Sequence, residues 1–131
     1  MDWMTWYNQL AKPSWTPSPH VISTIWTILY PIIAVSFGFV FFKAIRGDVP
    51  WWVALPFIIN LTANLLFMPV FAGLRNVPLA AADILVVLAT IVWAIIAIWP
   101  HYRLVALTQV PYLIWVTTAT VLQVSITVMN W

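Results

Sequence analysis

The chain has 131 residues, of which 64% are hydrophobic and only 6% charged, with a net charge of +2. A soluble domain carries about 25% charged residues to wet its surface, so this composition excludes a water-soluble globule and makes lipid the solvent. The five cations form no basic stripe, which excludes a nucleic-acid footprint, and the absence of cysteine excludes disulfides and thiolate metal sites.

Residues 1–20 contain neither a basic leader nor a long apolar run, so membrane insertion falls to the first true span. Spans of about 20 apolar residues are expected over residues 21–42, 49–72, 78–99 and 104–129. The links IRGD, GLRN and PHYR are short, which makes sequence neighbours antiparallel neighbours and puts both termini on one side. The expected fold is all-α: a single domain over residues 1–131, an integral membrane helical bundle with four transmembrane helices and short loops. Lys43, Arg46 and Arg103 fall on one side and Lys12 and Arg75 on the other, and the positive-inside rule leans toward the first group being cytoplasmic.

Trp3, Trp6, Trp51, Trp52, Trp99 and Trp131 lie at or near span ends, as an interfacial aromatic belt would place them. Trp26, Trp93 and Trp115 lie within spans, where a belt does not explain them. Pro31, Pro56, Pro69 and Pro111 also fall inside spans; each removes a backbone donor and crowds the carbonyl four residues earlier. Such kinks leave room for a cavity, although membrane helices also tolerate proline with no functional consequence.

Helical spacing sorts the polar and aromatic residues onto faces. Trp26 and Tyr30 share one face of the first span; Asn60, Asn64, Phe67 and Phe71 follow one stripe of the second; Tyr112, Trp115, Ala119 and Gln123 follow one stripe of the fourth. If the stripes converge, large flat rings with a few polar groups line an apolar small-molecule site. The same residues also serve ordinary helix packing, with the amides bonding between helices. Asp83 is the one acid inside a span; it suits the first turns of a helix opened by Pro78, and a structural role is favoured over a functional one. His20 and His101 have no carboxylate partners, so no metal site is expected, and no catalytic triad, phosphate loop or carboxylate pair is present.

Residues 6 to 30 read WYNQLAKPSWTPSPHVISTIWTILY. This resembles the signature of the TspO/MBR family, the tryptophan-rich sensory and translocator proteins, whose pattern is close to WY-x-x-L-x-KPSW-x-PP followed by a tryptophan- and tyrosine-bearing helix. Two further blocks, NLLFMPVFAGLRNVPLAAADILVV and PYLIWVTTATVLQ, match the family in order and spacing. The resemblance implies a membrane receptor for porphyrins such as protoporphyrin IX and haem, or for similar planar lipophiles, with no required cofactor and with the bilayer as its other partner. By position it implies a ligand site formed by Tyr7, Trp26, Tyr30, Asn64, Phe67, Trp115 and Ala119. Trp15 and Pro17 would belong to a lid-like segment over residues 1–20, and Asp83 matches the family's Asp. Tyr7, Trp26 and Trp115 match residues linked in some members to light-dependent porphyrin breakdown, so they are the candidates if the protein is a photo-oxidative enzyme.

Several positions depart from the pattern. Phe67 stands where many members have Trp, Ser18 splits the proline doublet, Ala72 interrupts FFG, and Gln123 replaces an Asn; no cation follows Tyr112, so a sterol pattern is absent there. Family members have five spans, and the WYxxLxKPSW block follows the first, so the resemblance maps this sequence onto four of them. A homodimer or larger oligomer that covers the open side is therefore expected. A small four-helix multidrug-type transporter fits the size class, but it lacks a central intramembrane acid for proton coupling.

Overall fold

The computed structural model describes residues 3–130. Four long apolar helices are present, Pro19–Ile45, Trp51–Gly73, Val77–Ile98 and Arg103–Met129, and only 28% to 39% of the apolar window in each is buried within the chain. The outward majority has no polar cover, so these helices cross a membrane, and the chain is a multi-pass integral membrane protein. No strand occurs among the described residues.

The helix boundaries follow from local chemistry. A short helix α1 (Trp3–Gln9) lies within the N-terminal segment and precedes a turn in which the Thr16 N–H donates to Pro13 O. Helix α2 (Pro19–Ile45) is capped by Ser18, whose hydroxyl accepts from the Val21 N–H at 3.3 Å, and Pro19 opens it where the missing donor costs nothing. It stops at Gly47, whose φ of 79° is open to glycine. Helix α3 (Trp51–Met68) runs on into a π segment, Pro69–Gly73, closed by the Leu74 N–H donating to Pro69 O at 2.9 Å. Helix α4 (Val77–Ile98) is capped by Asn76, which accepts from the Leu79 N–H at 2.9 Å. The last span is two pieces, α5 (Arg103–Thr108) and α6 (Val110–Met129), hinged at Gln109. Pro111 explains the hinge: it offers no donor to the carbonyl four residues earlier, and the Gln109 N–H tightens onto Ala106 O at 3.1 Å.

The four span prolines therefore divide. Pro69 and Pro111 coincide with a π segment and a hinge, whereas Pro31 and Pro56 sit inside unbroken helices.

Helix α4 packs between α3 and α6, and α2 lies against α3, α5 and α6. Ala54, Ala80 and Ala94 are fully buried, which lets backbones approach in a medium that supplies no hydrophobic drive between helices. Phe37, Phe57, Ile91, Tyr112 and Val116 complete the core. Lipid-facing hydroxyls are satisfied internally: Thr27, Thr62, Thr117 and Ser125 each donate to the carbonyl four residues earlier. Trp51, Trp52 and Trp99 are exposed at helix ends, in keeping with a belt. Trp93 also faces outward, so its place inside a span does not bring it into the bundle. The Trp3 side chain and Trp131 lie outside the described residues.

Candidate functional site

Two neighbouring clusters hold the residues singled out in the sequence. The first lies between α2, α3 and α6. Trp26 stacks on Tyr30 with ring centroids 5.1 Å apart, as their i, i+4 spacing requires. Its edges meet Trp115 at 6.5 Å and Tyr112 at 6.2 Å, both near-perpendicular. The stripes of the first and last spans thus converge.

Below the rings runs a directed chain of hydrogen bonds across four helices. The Tyr30 hydroxyl donates to Asn64 Oδ1 at 3.3 Å, and Asn64 Nδ2 donates to the Tyr112 hydroxyl at 2.8 Å. That hydroxyl donates to Asn60 Oδ1 at 2.9 Å. Asn60 Nδ2 then donates to Val87 O at 2.9 Å and to Thr90 Oγ1 at 3.1 Å. Asn60 and Asn64 each have partners on both ends of the amide, and none of the groups in this chain carries charge, which is how polar atoms become tolerable at this depth.

Tyr112, Asn60 and Thr90 are central to this site, yet the resemblance did not single them out. The signal was present in the i, i+4 spacing of Asn60 and Asn64 and in Tyr112 lying three residues before Trp115. The resemblance also left out Gln109, which is fully buried and donates through Nε2 to Ser36 Oγ at 2.8 Å.

The second cluster joins the N-terminal segment to the bundle. Phe71, placed by the π segment, contacts Trp6 at 5.2 Å and Tyr7 at 6.0 Å and lies parallel to Phe67 at 5.6 Å. Tyr7 is therefore in this cluster and not beside Trp26 and Trp115, while Phe67 packs against both groups. Burial pushes the Tyr7 phenol above its ordinary value. Lys12 donates to Tyr7 O at 2.9 Å and lies over the Tyr7 ring at 4.6 Å. Asn130, at the end of α6, clamps the segment from below: it accepts from the Ala11 N–H at 3.0 Å and donates to Ala11 O at 2.8 Å. Trp15 is half exposed and Pro17 half buried.

Ala119 is partly buried and packs against the main core. The rings of the first cluster touch one another, and beside them lies a groove of about 360 Å³ lined by Ile25, Ile28, Leu29, Pro111, Ile114 and Trp115. Two polar atoms of the candidate residues are buried with no hydrogen-bond partner, Trp115 Nε1 and Asp83 Oδ2. Asp83 sits on α4 one turn before Val87 and two before Thr90, the anchors of Asn60.

Fold and site together define a small helical membrane protein with an uncharged aromatic and amide centre between its spans. The TspO/MBR family model matches residues 1–129. Similar relatives include the Bacillus subtilis membrane protein YtaB, 33% identical over 95% of this chain and 80% of its own length. A tryptophan-rich sensory protein of Cereibacter sphaeroides is 33% identical over 96% and 77%. Translocator protein 2 of Mus musculus is 30% identical over 83% and 68%. The chain belongs to the TspO/MBR family.

Proposed function

We propose that this protein is a membrane receptor for planar lipophilic molecules, with porphyrins such as protoporphyrin IX and haem as the leading class. The observation that carries the reading is the Trp26 ring, held in contact with Tyr30, Tyr112 and Trp115 at the edge of an amide chain. A flat ligand replaces ring-to-ring edges with face contacts of the same kind, and the unpartnered Trp115 Nε1–H supplies a donor for an acceptor on the ligand rim. Names such as "tryptophan-rich sensory protein" among the relatives agree with a role in detection.

The cluster is open on one flank, where Tyr30 is 44% exposed. A second copy of the chain seated on α2 there would close it, and cross-linking in bilayers through cysteines placed at Ile28 would capture that dimer.

Titration of intrinsic fluorescence with protoporphyrin IX tests the reading. Replacing both rings, Trp26→Leu with Trp115→Leu, removes two aromatic contacts of about 1 kcal/mol each and should weaken binding about thirty-fold. Unchanged affinity in the double variant would rule out these rings as the site. Loss of the porphyrin absorption band in light but not in darkness, abolished by Trp115→Phe, would add a photochemical activity to the receptor.

A further inference from the structure

A second open volume, about 910 Å³, lies in the groove between α2 and the corner where α4 turns into α5. Pro31, Val35 and Phe39 form one wall, and Trp99, Tyr102 and Leu104 form the other. Val35 and Leu104 are each about three-quarters exposed, so the groove opens toward the bilayer. From Phe39 to Pro31 it follows α2 for eight residues, or about 12 Å into the hydrocarbon.

Its mouth is cationic. His101 and Arg103 line it, and the Arg103 guanidinium lies over the Trp99 ring at 5.3 Å. The Lys43 ammonium lies over two further groove rings, Phe39 at 5.4 Å and Tyr102 at 5.8 Å. Among the described residues Asp48 is the one carboxylate at this end, and it is shared by Lys43 and Arg46 at 3.6 Å each. Among the described residues Arg103 has no carboxylate partner within ion-pair reach. Lys43, Arg46 and Arg103 against Asp48 leave this end of the bundle positive.

We propose that this groove binds an anionic phospholipid, with an acyl chain along α2 and the phosphate held at the interface by Arg103 and His101. A soluble anion would meet the guanidinium and leave the apolar wall uncovered. A neutral lipid would cover the wall and leave the cation uncompensated. An anionic phospholipid satisfies both, and the positive-inside lean puts this end at the leaflet where such lipids concentrate. The site is independent of the ring cluster described above and does not rest on the function proposed for it.

The test is lipid retention by the whole protein in nanodiscs of equal phosphatidylglycerol and phosphatidylcholine, read by native mass spectrometry. One cation beside an anionic headgroup gives about a five-fold preference, so the wild type should retain phosphatidylglycerol by at least that factor. Arg103→Gln should remove about five-fold of that preference, and Arg103→Lys should keep it. Val35→Trp fills the groove and should reduce retention of both lipids, with helix content by circular dichroism confirming an intact fold. Equal retention of the two lipids by the wild type would overturn the proposal, as would an Arg103→Gln preference matching wild type. Release of the lipid by inorganic phosphate alone would assign the mouth to a free anion and overturn it too.

Discussion

Removing one hydroxyl, by Tyr112→Phe, probes the centre of the bundle. That oxygen accepts from Asn64 at 2.8 Å and donates to Asn60 at 2.9 Å, and the residue is fully buried. Two interhelical bonds at about 0.6 kcal/mol each in a bilayer set a floor near 1.2 kcal/mol. The loss also orphans an Asn64 N–H and an Asn60 carbonyl, and each unsatisfied buried group costs about 1–3 kcal/mol where the structure cannot relax. Asn60 keeps Val87 and Thr90, and Asn64 keeps Tyr30, so relaxation is partial and a total of about 2–3 kcal/mol follows. Tyr30→Phe is the internal control. Its single bond is long, at 3.3 Å, and the residue is 44% exposed, so it should cost less than about 0.6 kcal/mol. Reversible unfolding in mixed micelles, followed by circular dichroism, measures both. A double-mutant cycle with Asn60→Leu should show coupling above about 0.5 kcal/mol. Equal costs for the two phenylalanine variants, or additive behaviour in the cycle, would refute the account of a directed chain through Tyr112.

Three further outcomes concern the N-terminal segment. Asn130→Ala removes both bonds to Ala11 and should speed hydrogen exchange at the Ala11 amide by at least ten-fold, leaving the middle of α4 unchanged. Phe71→Ala deletes the ring that contacts Trp6, Tyr7 and Phe67; α1 should lose its exchange protection while the four spans keep their helicity. Tyr7 lies outside the spans, and its raised pKa means that the docked state favours the neutral phenol. Docking is then independent of pH below the ordinary value of 10.0 and weakens as pH rises through the folded value. Subtracting the tyrosinate absorbance curve of Tyr7→Phe from that of wild type should give a midpoint above 10.0.

The spans were legible because hydropathy integrates over many residues, and no single misplaced side chain alters it. The ring stripes were legible because helices place i, i+4 residues together: Trp26 with Tyr30, and Tyr112 with Trp115 by i, i+3. What the sequence withheld depends on where the helical period breaks. The π segment after Pro69 turns Phe71 toward α1, and this draws Tyr7 into a cluster with Phe71 and apart from Trp26. The hinge at Gln109 likewise decides that its amide meets Ser36. Pro56, identical in residue type, produces no break, as membrane helices can tolerate proline. Outward or inward placement was equally open for Trp93, since a helix apolar all round gives no moment to read.

The distribution of charge separates two kinds of lipophile. Between the helices the polar atoms are phenol, amide and hydroxyl, each neutral, and nearly all are saturated by one another. As the receptor proposed above, such a centre would select by shape and ring stacking and admit a ligand by exchanging edge contacts for face contacts. Trp115 Nε1, Gln109 Oε1 and Asp83 Oδ2 are buried without a partner, and Asp83 is the acid among them. Its buried, unpartnered Oδ2 sits on the α4 face that anchors Asn60, and it is the acceptor there that the network leaves unused. Lys43, Arg46 and Arg103, in contrast, stand together at one end of the bundle, over aromatic faces that keep their heads at the interface. On the readings proposed above, a molecule recognised by charge would be met at the rim and one recognised by flatness between the spans. The two proposed sites share α2, with Trp26 and Tyr30 at the centre and Val35 and Phe39 at the rim.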